Sequence, residues 1–236
     1  MVTILRAVID ATGLSRRKAF VAIREGYVTL DGETVTDPSR DYATGVLALE
    51  GETLTESRSP RTYLLLHKPP GFVTPREDDQ GRATVMDLIP PDLAAPGLHP
   101  VGRLDRDTSG LLLLTDDGDL TYRLTHPRHE IEKEYWVRLA RPPSEALLAA
   151  VAAGIEIDGR VRRPVALDLL PPDSPFDVSI VITEGRKRQV RRMFEAVGAR
   201  VRYLHRVREG LLELGNLREG RTRRLTRAEI EALRSD

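Results

Sequence analysis

Four consecutive leucines, Leu111 to Leu114, lie inside the stretch GRLDRDTSGLLLLTDDGDL, residues 102–120. A run this apolar and this short, bounded by turn residues, predicts a fully buried strand over 111–115. Its flanks are the opposite in character. Arg103, Asp105, Arg106 and Asp107 precede it, and Asp116, Asp117 and Asp119 follow it. The chain therefore carries charge to the mouth of its own core, which needs a physical reason.

The 236 residues suffice for one large domain and a small one, and 40% hydrophobic against 31% charged residues is an ordinary globular balance. No apolar stretch reaches the ~18 residues of a membrane-spanning helix. The start, MVTILRAVIDATGLSRRK, lacks the apolar core of a signal peptide. The absence of cysteine excludes disulfides, thiolate zinc sites and cysteine nucleophiles, and fits a reducing cytoplasm. Net charge is zero, yet residues 184–208 hold nine Arg or Lys against two Glu. Nearly all these bases are Arg, which suits contacts with phosphates and bases, although a solvated basic face is the plainer explanation of charge alone.

In ATGLSRRKAFVAIREGYVTLDGETV, Ser15 caps a predicted helix to about Glu25 and Gly26 closes it. Asp31-Gly32 then suits a two-residue hairpin turn. Arg16, Arg17, Lys18 and Arg24 decorate the helix, with Ala19, Phe20 and Ile23 facing inward. This small α/β unit occupies residues 1–57, and the polar EGETLTESRSPR reads as a linker. In the larger unit, 58–236, strands are predicted at 62–67, 111–115, 134–140 and 178–183, and helices at 119–125, 144–153, 187–197 and 226–234. The irregular alternation predicts an α+β fold with a mostly antiparallel mixed sheet.

Asp105 and Asp107, two apart before the buried strand, share a face if extended. Paired carboxylates suggest glycoside hydrolysis, while DTSG is also good turn chemistry, with Asp107 bonding the Ser109 backbone. Asp107 reads as structural and Asp105 as the free carboxylate, although from this stretch alone a structural role for both acids is the stronger reading. KEYWV puts Tyr135 on a strand with Trp136 on the opposite face, and EGRKRQVRRMFEAVG is a turn feeding an Arg-rich helix. His126 and His129 lack further ligands nearby for zinc and read as surface or RNA-contacting residues; no metal site is expected.

Taken together, HKPPGFVTP, VGRLDRDTSGLLLLTDDG, EKEYWV, EGRKRQVRRMFEAVG and HRVREGLLELGNLREGRTRRLT resemble the bacterial ribosomal-RNA pseudouridine synthases of the RsuA/RluB type, over almost the whole chain. The N-terminal unit resembles the small alpha-L RNA-binding module of that family. The resemblance implies that Asp105 is the catalytic aspartate, Tyr135 the active-site tyrosine, and Arg191 the partner of Asp105, with Val190 packing by the base. Arg103 and Arg188 are candidate substrate contacts, Arg103 equally a salt-bridge residue, and Arg16, Arg17, Lys18 and Arg24 candidate RNA contacts. His67 and Thr222 depart from the family pattern, which more often has Asn and an aromatic residue there. The implied reaction turns uridine into pseudouridine in ribosomal RNA, free or in subunit precursors, by a cytoplasmic monomer with no cofactor and no membrane partner. A catalytically silent ribosome-assembly factor is the alternative reading.

This resemblance gives the charged mouth its reason. An enzyme acting on a base within folded RNA must flip the nucleotide into a pocket and hold its phosphates outside. The acids at 116, 117 and 119 begin the next helix, where negative charge is favourable.

Overall fold

The computed structural model describes residues 2–54, 61–75 and 80–235. It divides into two compact units, Met1–Thr62 with Ala94–Leu98, and Tyr63–Leu93 with His99–Asp236.

The first unit runs β1 (Val2–Thr3), α1 (Ile4–Thr12), α2 (Arg16–Arg24), β2 (Val28–Leu30), β3 (Glu33–Thr34), β4 (Asp41–Tyr42), β5 (Leu47–Leu49) and β6 (Glu52–Thr53). Thr3 and Ser15 cap the two helices through their side-chain oxygens. Asp31 and Gly32 both have positive φ, 52° and 84°, as the tight turn between β2 and β3 requires. Ile4, Val8, Ala19, Ile23, Val28 and Leu47 form the core. Phe20 corrects the expectation: it is 47% exposed. The inward stripe of α2 is Ala19 and Ile23, four apart, and Phe20 lies about 100° further round the helix. The predicted linker is shorter than expected, because β6 pairs with β5 inside it. Its residues 55–60 lie outside the described residues.

The second unit contains β7 (Tyr63–Lys68), β8 (His99–Pro100), β9 (Ser109–Thr115), α3 (Gly118–Thr125), β10 (Lys133–Leu139), α4 (Glu145–Ala153), β11 (Ile155–Ile157), β12 (Arg160–Arg162), β13 (Ala166–Leu169), β14 (Val178–Ile182), α5 (Gln189–Ala196), β15 (Val201–Glu209), β16 (Leu212–Glu213), β17 (Thr222–Arg224) and α6 (Arg227–Ser235). Among the described residues a nine-stranded sheet has the order β13-β14-β10-β15-β9-β7-β17, with β16 on β15 and β8 on β9. Leu111 to Leu114 on β9 are fully buried at its centre. Leu111 and Leu113 pack with Leu120 and Leu124 of α3 and Leu233 of α6. Asp117 caps α3, accepting from the backbone N–H groups of Asp119 and Leu120, and also accepts from the Tyr63 hydroxyl at 2.8 Å. Burial and Asp117 push the Tyr63 phenol up to about 12. No described helix is long and apolar enough to cross a membrane.

All pairings in this sheet are antiparallel except that of β15 with β9, which aligns His205 with Ser109 and Arg206 with Gly110. Gly110 sits at φ +113°, and a Cβ there would lie 2.2 Å from the Arg206 carbonyl oxygen and 2.5 Å from its nitrogen. Two backbones meet too closely for any side chain. Gly110→Ala should therefore destabilise the protein by more than about 3 kcal/mol in urea unfolding. Gly159→Ala, at φ +72° with nothing nearby, should cost only about 1–2 kcal/mol.

Candidate active site

The loop before β9 is held from beneath and from the side. Lys68, fully buried at the end of β7, donates from Nζ to the carbonyls of Thr108 (2.8 Å), Pro69 (3.0 Å) and Asp105 (3.2 Å). An ammonium has three donors, and all three are used. Burial lowers the Lys68 amine to about 8, against the opposing pull of Asp107 and Asp105. The Thr74 hydroxyl donates to the Leu104 carbonyl at 2.6 Å and accepts from the Leu104 N–H at 3.1 Å. Gly71 and Arg106 exchange two further bonds, at 2.7 and 3.1 Å. The turn closes with the Thr108 N–H on the Asp105 carbonyl.

The two acids of this turn have different surroundings. Asp105 is half-buried, and its carboxylate makes no hydrogen bond or ion pair among the described residues. Asp107 receives Arg188 Nη1 at 3.0 Å and Arg191 Nη2 at 3.3 Å, and its carbonyl accepts from Arg191 Nη2 at 2.8 Å. Two expectations are corrected here. The direct ionic partner of Arg191 is Asp107, while Asp105 acts on it only through the longer-range field. Asp107 is anchored by these arginines, and no bond to the Ser109 backbone is formed among the described residues. The cause is α5, which brings both guanidinium groups onto the turn from outside it. Arg191 is buried and also donates to the Val201 carbonyl at 3.2 Å. Burial lowers its pKa, and Asp107 opposes that shift.

Tyr135 is buried on β10, directly across from Arg206 of β15. Burial raises the Tyr135 phenol. Arg206 is also buried; its Nε donates to the Leu111 carbonyl at 2.8 Å and its Nη2 lies 3.1 Å from Glu209. Burial works against its charge, but Glu209 and Tyr135 more than offset this and raise its pKa. Tyr135, Arg206 and Glu209 thus form one buried polar group, within the field of Asp105. Trp136 points to the other face and packs on Phe176, which stacks on His205.

Val190 is buried on α5, and Arg188 stands in the left-handed region just before that helix, at φ 54°. Arg103 is exposed, with no hydrogen bond or ion pair among the described residues. Arg16, Arg17, Lys18 and Arg24 are exposed on the first unit. His67 Nδ1 contacts the Leu217 carbonyl at 2.7 Å, and Thr222 pairs with Leu66 across β17 and β7. His126 and His129 pack around the exposed Tyr122 ring. Sequence reasoning missed Lys68, Arg206 and Glu209. Lys68 had a visible cue in standing directly before Pro69-Pro70, but nothing local says that it is buried.

The profile of the RNA pseudouridylate synthase family matches residues 62–196. Ribosomal large subunit pseudouridine synthase B of Bacillus subtilis (strain 168) is 40% identical over 235 residues, 98% of this chain and 95% of that protein. Ribosomal small subunit pseudouridine synthase A of Salmonella typhimurium is 39% identical over 225 residues, 94% and 95% of the two chains. A crystal structure of a pseudouridylate synthase superposes with a TM-score of 0.68 at 38% identity, covering 99% of this chain and 100% of that one.

Lys68 leaves a pH signature. Below about 8 the folded and unfolded chains both hold its proton, so the full desolvation penalty is present. Between about 8 and the ordinary 10.5, the unfolded chain binds the proton more tightly, so this group's contribution to stability rises with pH. The urea midpoint of the unaltered protein should therefore gain on that of Lys68→Met between about pH 7 and about pH 10. A difference independent of pH would place the amine at its ordinary value.

Proposed function

The chain belongs to the RNA pseudouridylate synthase family, and we propose that it converts uridine to pseudouridine in ribosomal RNA with Asp105 as the catalytic carboxylate. One observation carries the assignment. The Asp105 backbone is held by Lys68 and Thr108 while its carboxylate oxygens are unengaged among the described residues; those of Asp107 are taken by two arginines. A rigid loop bearing one available carboxylate is what a reaction on a flipped base requires. The contrast also disfavours the two-carboxylate glycosidase reading.

In this reaction the glycosidic carbon–nitrogen bond breaks, the uracil turns, carbon 5 bonds to the ribose, and the carbon-5 proton leaves. Asp105 either attacks carbon 6 of uracil or takes the ribose 2′ proton, and a deuterium isotope effect at the 2′ position separates the two roles. Tyr135, buried on β10 with its phenol pushed up by that burial, stacks on the base and takes part in the last proton transfer. Arg191 is a positioning residue that holds the turn through Asp107. Val190 packs by the base. Arg103 and Arg188 contact the nucleotide's backbone.

The first unit binds RNA in this reading. Phe20 and Tyr27, 47% and 49% exposed, stand near Arg16, Arg17, Lys18 and Arg24 in the sequence, and exposed aromatics among arginines suit unpaired RNA. The protein works as a cytoplasmic monomer on ribosomal RNA, free or in subunit precursors. A silent assembly factor would need the same RNA contacts but would leave the clamp around Asp105 without a purpose.

Ribosomal RNA tritiated at carbon 5 of uracil should release label to water without added cofactor. Asp105→Asn should lower that release by a factor on the order of 10³ or more while RNA binding persists. A residual rate within about tenfold of the unaltered enzyme removes Asp105 from the chemistry. Replacing Arg16, Arg17 and Arg24 together by Gln should weaken RNA binding and reduce the slope of log affinity against log salt by about 2. An unchanged slope assigns the first unit another role.

A further inference from the structure

A cavity of about 700 Å³ lies beside the Asp105–Thr108 turn, lined by Asp107, Arg188, Arg191, Glu195, Arg200 and Arg202, with Ala140 and Val201 as the apolar residues. One wall is a face of α5, where Arg191 and Glu195 lie one turn apart, with Arg188 standing just before the helix. The other is the beginning of β15 and the residue after β10, joined by the Ala140 N–H on the Arg200 carbonyl at 2.8 Å. Arg191 ties the walls together through its bond to the Val201 carbonyl.

Four guanidinium groups face two carboxylates in this lining, a local charge of +2. The four arginines are not equivalent. Arg188 and Arg191 are engaged by Asp107, so they form part of the wall. Arg200 and Arg202 are exposed, and their side chains make no hydrogen bond or ion pair among the described residues. Among the described residues Glu195 forms no ion pair with them. The cavity thus offers two uncommitted, planar, multidentate donors at the edge of the candidate active site. Its size falls in the range of small-ligand sites, roughly 300–1,000 Å³. With no aromatic ring in the lining, it lacks a stacking surface for a base. Paired arginines and an excess of positive charge suit a phosphate instead.

We propose that this cavity is a phosphate-binding subsite that seats the RNA backbone next to the target uridine, with Arg200 and Arg202 as its donors. The inference rests on the reading of the chain as a ribosomal-RNA pseudouridine synthase. Phosphate contacts set register and carry little sequence information. A backbone held here, on the Asp107 side of the turn, fixes where the neighbouring nucleotide enters beside Asp105. Arg200 and Arg202 are therefore positioning residues, acting on which uridine arrives rather than on the bond that breaks.

The test is the full chain carrying Arg200→Gln and Arg202→Gln, with ribosomal RNA transcribed in vitro as the probe. The dissociation constant and KM should both rise on the order of tenfold, and the salt slope should fall by about 1.5, the value for two phosphate contacts on single-stranded RNA. The loss should appear in KM more than in kcat, and Arg→Lys at both positions should restore most of the salt slope. Both residues are exposed, so the urea midpoint should not move. Unchanged affinity and slope in the Gln variant would overturn the inference. So would loss of uridine monophosphate binding with RNA affinity intact, which would make the cavity a mononucleotide site. If the unaltered protein released no tritium from carbon-5-labelled RNA, the enzymatic reading would fail, while RNA affinity and salt slope would still decide for or against the subsite.

Discussion

The buried ammonium of Lys68 joins the sheet to the loop that carries Asp105 and Asp107. Removing a charged amine from water is expensive by several kcal/mol unless its donors are satisfied. Here the acceptors are carbonyls of Pro69, Asp105 and Thr108. The arrangement is favourable only while those carbonyls converge, so one desolvated charge specifies the path of residues 105–108. Thr74 and Gly71 secure the same loop from the side. Asp105 can remain without a side-chain partner among the described residues because its backbone is held so completely.

The rest of the site rests on two close approaches. Gly110 lets β15 lie parallel to β9 at a distance that no Cβ permits. That contact puts Arg206 against the Leu111 carbonyl and across from Tyr135 on the neighbouring strand. On the outer side, α5 delivers Arg188 and Arg191 to Asp107, so the turn is gripped by a buried lysine on one side and two arginines on another. Charge of both signs at the mouth of a buried strand is how the loop is made rigid; of its two carboxylates near β9, that of Asp107 is engaged and that of Asp105 has no partner among the described residues.

Much of this was legible in local sequence. The leucine run, the Ser15 cap, the Asp31-Gly32 turn and the alternation in DVSIVIT report on neighbours within a few residues, and each marks the element found there. The resemblance of five segments to one family pointed to Asp105, Tyr135 and Arg191. Phe20 was misread because the stripe of a nine-residue helix needs only two inward positions, and Ala19 with Ile23 fill them. Arg191 was assigned to Asp105, whereas its ionic partner is Asp107, two residues away. Which of two carboxylates so close in sequence receives Arg191 depends on how α5 approaches the turn.

By itself the sequence determined many of the elements and their α+β class, because capping, turn chemistry and strand burial are short-range properties written in adjacent residues, and the resemblance of whole segments pointed to the family. Tertiary structure alone decided which charges are buried and with whom. Lys68 meets Thr108 across 40 positions of chain, and Arg191 meets Asp107 across 84. Desolvation and ion pairing depend on distance in space, and no pattern along the chain encodes that distance until the strands have paired.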